Sequence, residues 1–263
     1  MRLFLIVYLL FSNFELLTMK KSDALISGVF VFCITLIFGQ GVPNPQSVQG
    51  ILQDFSASQN SRLYTGASLP SFSHHEDTRG NRYLFEGWAK GRVVAANNSV
   101  IENSNFLYNY DKITNNLFVT LDKKTAIEIS KEEFKSFTLK KNDSDYVFTR
   151  VTLIDNYHFF QTLVKNEEKY SLYKLTYTKL QKSNYYTDGI FESGKPYDEY
   201  VDEVEYIAIL PGGKVFKRFK PTRKSIKDVL SMEKSKIDLF LSQHKQEFVN
   251  ENFLKNLFLF FNQ

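Results

Sequence analysis

The chain is 263 residues long, 43% hydrophobic, 16% aromatic and 24% charged, with six prolines and one cysteine, Cys33. That composition excludes a disordered tail, which is poor in aromatics, and a disulfide scaffold, which is rich in cysteine. The 33 basic and 29 acidic residues leave a formal charge of +4. They are interspersed, so there is no clustered basic footprint for nucleic acid.

At the N-terminus two apolar runs flank a basic step. Leu3 to Phe11 is too short to span a membrane. Met19-Lys20-Lys21 then precedes the apolar stretch Ala24 to Phe38. From Met19 onward this is the grammar of a signal peptide: a positive start, an apolar centre and small residues at the end. Residues 1–41 are therefore expected to be a signal-peptide region whose true start is Met19. Gly39 and Gly41 suit cleavage before Val42, with sites before Gln40 and Gly41 as alternatives.

The competing reading is an uncleaved anchor; in either case this segment is the only expected contact with a membrane. Phe32 stands before Cys33 where lipidation needs a small residue. Cleavage removes Cys33, so the exported domain, periplasmic or in the outer envelope, has to fold without disulfides. It keeps 30 basic and 27 acidic residues, a net +3.

Residues 42–80 are polar and broken by Pro43, Pro45, Gly50, Gly66, Pro70 and Gly80, which predicts an extended lead-in with little regular structure. From there to residue 220 short β-rich runs alternate with turn residues. The predicted strands are Trp88–Ala95, Phe106–Tyr110, Leu117–Leu121, Ala126–Ile129, Phe134–Leu139 and Tyr146–Ile154, the last with Val147, Val151 and Leu153 on one face. Tyr157–Val164 and Lys169–Leu180 form a hairpin around Asn166-Glu167-Glu168, and Tyr173, Leu175 and Tyr177 share one face by alternation. A polar excursion, Ser183–Asp202, follows. Val204–Leu210 and Lys214–Phe219 then pair around Pro211-Gly212-Gly213.

After Pro221 the period becomes helical. Ser225 and Asp228 suggest a capping box, and Ile226, Val229, Leu230, Ile237, Phe240 and Leu241 recur at helical spacing. Asn250 caps a last helix with an apolar stripe of Phe253, Leu254, Leu257, Phe258 and Phe261. This stripe is expected to dock on the protein's own sheet. The predicted fold class is mainly β (α+β): an antiparallel meander, barrel or sandwich over 81–220, with two to three short helices over 221–263 packed on it.

Several segments, in order, carry a resemblance: Leu63-Tyr64-Thr65-Gly66, Trp88-Ala89-Lys90-Gly91-Arg92-Val93, Leu107-Tyr108-Asn109-Tyr110-Asp111 with Leu117-Phe118-Val119, and Phe134-Lys135-Ser136-Phe137-Thr138-Leu139. Phe159-Phe160-Gln161-Thr162-Leu163-Val164, Ser171-Leu172-Tyr173-Lys174 and the tail from Tyr206 continue it. Their order and spacing resemble a family of uncharacterised exported β-rich proteins of certain Gram-negative bacteria, a domain of unknown function. The resemblance implies an envelope location and one β-dominated domain, and brings no catalytic or binding residues with it.

The residues offer little chemistry. Gly189-Ile190-Phe191-Glu192-Ser193-Gly194-Lys195 has the spacing of a phosphate-binding loop, but Pro196 stands where Ser or Thr would bind magnesium. His74-His75-Glu76-Asp77 are neighbours that point apart in an extended chain, so no metal site is expected. Ser68 lacks the second glycine of a nucleophile elbow. His158 reads as a hydrogen-bonding loop residue and His244 as helix surface. Asp198, Glu199, Asp202, Glu203 and Glu205 read as a solvated loop and strand edge.

Tyrosines concentrate between Tyr170 and Tyr206. Aromatic rings with polar tips suit peptide or carbohydrate binding, and cross-strand packing explains them equally. Tyr173, Tyr177, Tyr185 and Tyr186 are the candidate ligand-contacting residues. The expectation is a monomeric, non-enzymatic accessory or binding domain without cofactors, its partner an envelope protein or glycan. The alternatives are a hydrolase acting on envelope glycans or peptides through unassigned carboxylates, and a peptide- or protein-binding module using residues 170–206.

Overall fold

The computed structural model describes residues 64–70, as backbone, and 78–263. The signal-peptide region 1–41, the lead-in up to Leu63 and the His74–Asp77 cluster lie outside the described residues. The protein is mainly β, with three short helices following the last strand among the described residues.

The strands are β1 (Tyr64–Pro70), β2 (Thr78–Arg79), β3 (Lys90–Ala95), β4 (Val100–Ile101), β5 (Leu107–Asp111), β6 (Asn116–Thr120), β7 (Thr125–Ile129) and β8 (Phe134–Lys141). They continue with β9 (Ser144–Arg150), β10 (Phe159–Val164), β11 (Ser171–Gln181), β12 (Tyr186–Thr187), β13 (Glu192–Ser193), β14 (Asp198–Ile209) and β15 (Phe216–Phe219). The helices are α1 (Arg223–Val229), α2 (Lys234–Gln243) and α3 (Glu251–Phe261).

One sheet has the order β1-β7-β6-β5. The long sheet runs β15-β14-β11-β10-β9-β8-β3-β4, with β2 added parallel to β14. Consecutive antiparallel neighbours make this largely the expected meander, but neither sheet closes into a barrel among the described residues. The lead-in departs from expectation: it supplies β1 and β2. Pairing at a sheet edge uses backbone groups that every non-proline residue carries, so a polar stretch without apolar alternation can still join.

Turn chemistry sets the register. Lys141 pairs with Ser144, and the two residues between them, Asn142 and Asp143, have φ of 48° and 58°. Positive φ at both corners makes the tight hairpin whose twist matches its strands, and Asn and Asp tolerate that conformation best after glycine. The β14–β15 loop closes with the Leu210 N–H donating to the Val215 carbonyl at 2.9 Å.

Inward residues of the two sheets meet in the first core. Tyr108, Tyr110, Leu117, Val119, Ile127 and Ile129 come from the small sheet, and Val93, Phe137, Leu139, Phe148 and Phe159 from the long one. Phe137 stacks on Phe148 at 4.8 Å between ring centres and Phe134 on Phe159 at 4.7 Å. Aromatic pairs of this kind contribute beyond their buried area. The β9 strand stops at Arg150, short of the predicted Ile154. There the chain turns, with the Ile154 N–H donating to the Val151 carbonyl, so Ile154 is buried and Leu153 faces solvent.

A second core joins the other half of the long sheet to the helices. Tyr170, Leu172, Tyr206, Ala208 and Phe219 meet Ile226, Val229, Ile237, Phe240, Leu254, Leu257, Phe258 and Phe261. The last helix thus docks its stripe on the sheet. Asn250 Oδ1 accepts the Phe253 N–H at 2.9 Å, capping α3 as its sequence predicts. At its far end Asn262 exchanges two hydrogen bonds with the Tyr170 backbone, at 2.9 and 3.0 Å. Helix α1 is capped differently from the prediction: Thr222 accepts from the Ser225 N–H, so Ser225 lies inside the helix. His244 ends α2 with its side chain partly exposed, stacked on Phe240 at 4.2 Å and with Nδ1 2.6 Å from Glu247 Oε1.

Candidate functional site

The longest strand pair is β11–β14, in unbroken antiparallel register from Ser171↔Ile209 to Gln181↔Glu199. The predicted polar excursion is therefore shorter than expected, because Asp198–Asp202 already belong to β14. Alternation divides this ribbon. Even-numbered residues such as Leu172, Tyr206 and Ala208 face the helices, and Tyr173, Leu175 and Ile207 face the opposite side.

The four candidate tyrosines separate along it. Tyr173 is buried with Ile154, Phe160, Leu175 and Ile207, where its ring is core. Tyr177 is half-buried one step further on. Tyr185 and Tyr186, 42% and 66% exposed, lie at the far end, around the small β12–β13 hairpin. No single aromatic platform unites the four. The hairpin instead adds two exposed residues that its sequence did not single out, Ile190 at 83% and Phe191 at 72%. A visible signal was an apolar pair set between turn residues, Asp188-Gly189 and Ser193-Gly194.

The hairpin has a defined shape. Asp188 Oδ1 accepts the N–H groups of Ile190 at 3.0 Å and Phe191 at 2.8 Å, and these bonds hold its carboxyl below the ordinary aspartate range. Asn184 Oδ1 accepts from Lys195 N–H, Ser183 Oγ donates to the Lys195 carbonyl, and Asp198 Oδ1 accepts from Ser183 N–H. Gly194 has φ +83°, and a Cβ there would lie 2.3 Å from the Asn184 carbonyl oxygen, so the closure requires glycine. The segment that mimics a phosphate-binding loop is thus a hairpin turn. Lys195 is ion-paired to Glu199, and a strand follows instead of a helix.

Each acid of β14 has a cation. Asp198 pairs with Lys182 at 2.7 Å, Glu199 with Lys195, Asp202 with Lys112 at 2.7 Å, Glu203 with Lys179 at 2.8 Å and Glu205 with Arg218. Lys179 first, and then the neighbouring Tyr177 hydroxyl, keep the Glu203 carboxyl below the usual glutamate range. A general acid needs the opposite shift, so Glu203 is not tuned as a proton donor. His158 Nδ1 lies 3.0 Å from Asp155 Oδ2, which also belongs to a loop turn: Asp155 accepts the N–H groups of Tyr157 and His158. Among the described residues no group of three or more His, Cys, Asp or Glu side chains is placed to hold a metal ion.

The outer edge of β14 is used at both ends. Parallel β2 pairs with Asp198 and Glu199, and β15 pairs from Tyr206 to Ile209. Between them, along Tyr200–Glu205, this outer edge lacks a paired strand among the described residues. A groove opens beside Glu203, Val204 and Glu205, lined also by Tyr177, Arg218 and Lys220.

Comparison with protein-family models, curated proteins and solved structures finds no match for the chain.

Proposed function

We propose that this chain is an exported, non-enzymatic binding domain of the cell envelope, and that the β12–β13 hairpin contacts its partner. The observation that carries the reading is the exposed set Tyr185, Tyr186, Ile190 and Phe191 on a turn stiffened by side-chain hydrogen bonds. Apolar side chains grouped in solvent on a shaped element mark an interaction site. Ile190 beside Phe191 favours an apolar pocket on a protein over a glycan, whose recognition uses flat rings with polar neighbours. The ion-paired carboxylates of β14 also favour binding over hydrolysis. Export rests on the Met19–Gly41 leader and on a domain whose only cysteine, Cys33, lies inside that leader.

The test has two arms. The chain is expressed with its leader in a Gram-negative bacterium, the cells are fractionated and the N-terminal mass is measured. A mature form beginning near Val42 in the envelope fraction is expected; a cytoplasmic chain retaining Cys33 sinks the export reading. The mature domain is then used to capture partners from envelope extracts, beside an Ile190→Ser, Phe191→Ser variant. Loss of a captured partner in the variant, at unchanged melting temperature, is expected. Turnover of a glycan or peptide substrate with no partner captured would overturn the binding reading.

A further inference from the structure

The β11–β14 ribbon carries a knob beyond one end and a groove along its flank, and their chemistries are complementary. The knob is the β12–β13 tip, with Ile190 and Phe191 side by side in solvent. The only charged residues from Ser183 to Gly194 are Asp188 and Glu192, both acidic. Asp188 accepts two backbone N–H groups and stays a carboxylate. Glu192 is exposed and has no hydrogen-bond or ion-pair partner among the described residues. The nearest cations in the chain are committed elsewhere, Lys182 to Asp198 and Lys195 to Glu199. The tip therefore combines an apolar pair with uncompensated negative charge.

The groove has the opposite character. Its volume is about 630 Å³, and Tyr177, Val204 and Phe219 supply its apolar lining. That is within the range of pockets that take a small ligand, so there is room for an aromatic and an aliphatic side chain. Of its charges, Glu203 is matched by Lys179 and Glu205 by Arg218. Lys220 is left over: it is exposed and has no partner among the described residues. Lys224, next to Ser225 of the lining, is equally exposed and unpaired among the described residues. The uncommitted charge of the groove is positive.

Knob and groove of one chain do not reach each other. From Asp198, at the hairpin end of β14, to Val204 is roughly 20 Å of extended strand. The hairpin is closed at Asn184 and Lys195, and an arm of about five residues extends roughly 17 Å from that closure. A second copy has no such restriction.

We infer, on the reading of the hairpin as a binding element, that its partner is a second copy of this chain, whose groove takes the tip. Ile190 and Phe191 enter against Tyr177, Val204 and Phe219, and Glu192 meets Lys220 at the rim. Apolar anchors in a pocket give such a contact its strength, and the rim charges give it orientation. The two surfaces differ, so the contact is head-to-tail: every pair keeps one knob and one groove free, and association continues past the dimer. One tip in one groove buries little surface by the standard of protein interfaces, so assembly requires high protein concentration.

The test is sedimentation of the mature chain from low to high micromolar concentration. The average mass should rise continuously past that of a dimer. Ile190→Ser with Phe191→Ser should leave a monomer, and Lys220→Glu or Glu192→Lys alone should weaken association about tenfold. Both charge reversals in one chain should restore it. All these positions are exposed, so melting temperatures should not change. A mixture supplies the decisive pairing: the Ile190→Ser, Phe191→Ser chain keeps its groove and the Lys220→Glu chain keeps its tip. These two should form a 1:1 complex more weakly than wild type only if the reversed lysine lies outside the groove that is used; with the first chain's groove and the second chain's tip both intact, wild-type strength is expected, and growth should stop at the heterodimer.

A chain that stays monomeric overturns the inference, as does association that survives the loss of Ile190 and Phe191 or a mixture that fails to pair. A monomeric chain whose hairpin still captures another envelope protein removes the second copy as partner and leaves the binding function standing. A monomeric chain without hairpin-dependent capture removes both.

Discussion

Lys112 donates to both carboxylate oxygens of Asp202, each at 2.7 Å, and so ties the end of the small sheet to the middle of β14. Thr178, across the strand pair, donates to the same carboxylate. The two partners are unequal: the lysine side chain is almost wholly buried, and that of Asp202 is 44% exposed.

That inequality makes the two deletions unequal. Asp202→Ala strands a buried ammonium and should cost about 1–2 kcal/mol. Lys112→Met removes the buried charge and leaves a carboxylate that water reaches, so its cost should stay under about 1 kcal/mol. Urea denaturation of both variants checks the order, and an equal or reversed order would contradict the account.

The helical cap makes a packing prediction. Leu257 is fully buried between α3 and the sheet, and Leu259, two residues on, is 52% exposed. Leu257→Ala should destabilise by about 3 kcal/mol through lost burial and a residual cavity. Leu259→Ala should change stability by less than about 0.5 kcal/mol. Thermal and chemical denaturation separate the two.

Glu251 gives a pH dependence. Burial pushes its carboxyl up, but bonds from Lys174 and Lys255, each 2.8 Å, outweigh burial and hold it below the ordinary value of 4.5. A carboxyl whose folded value is depressed stabilises the fold above its unfolded value. That contribution is lost as pH falls from about 4.5 through the lower folded value. The wild type should therefore lose more stability than Glu251→Gln as pH falls below about 4.5. At pH 7 the variant should be less stable by about 1 kcal/mol. Melting curves measured at pH 7 and through the acid range provide the comparison; parallel curves would remove Glu251 from the acid response.

The β8–β9 turn predicts a gain. Asp143 holds φ at 58°, a conformation that glycine adopts without a Cβ clash, and Asn-Gly is the preferred pair for this turn. Asp143→Gly should stabilise by about 0.5 kcal/mol, and Asp143→Val should destabilise by about 1–2 kcal/mol. The paired measurement distinguishes turn strain from a general effect of losing a charge.

Much of the architecture was legible because its signals are local. Alternation at Tyr173, Leu175 and Tyr177, turn residues such as Pro211-Gly212-Gly213, and the stripe from Phe253 to Phe261 each act within a few positions of their own segment. Asn250 is a cap for the same reason. The candidate site was only partly legible. Exposure of Tyr185 and Tyr186 follows from a polar, glycine-bounded stretch, but burial of Tyr173 depends on Ile154 folding back over it from another loop.

Sequence by itself determined the mainly β composition, the strand segments, the helical tail and the wealth of aromatics that fills both large cores. Tertiary structure alone decided that β1 and β2 join the sheets, and that the acidic run Asp198–Glu205 is a ladder of ion pairs. It also decided that the outer edge of β14, opposite β11, lacks a paired strand between β2 and β15 among the described residues. The physical reason is that side-chain periodicity reports which face of a strand is buried, whereas a strand's edge is made of backbone groups common to every residue. Which edges are filled depends on where distant segments such as Thr78–Arg79 and Phe216–Phe219 end.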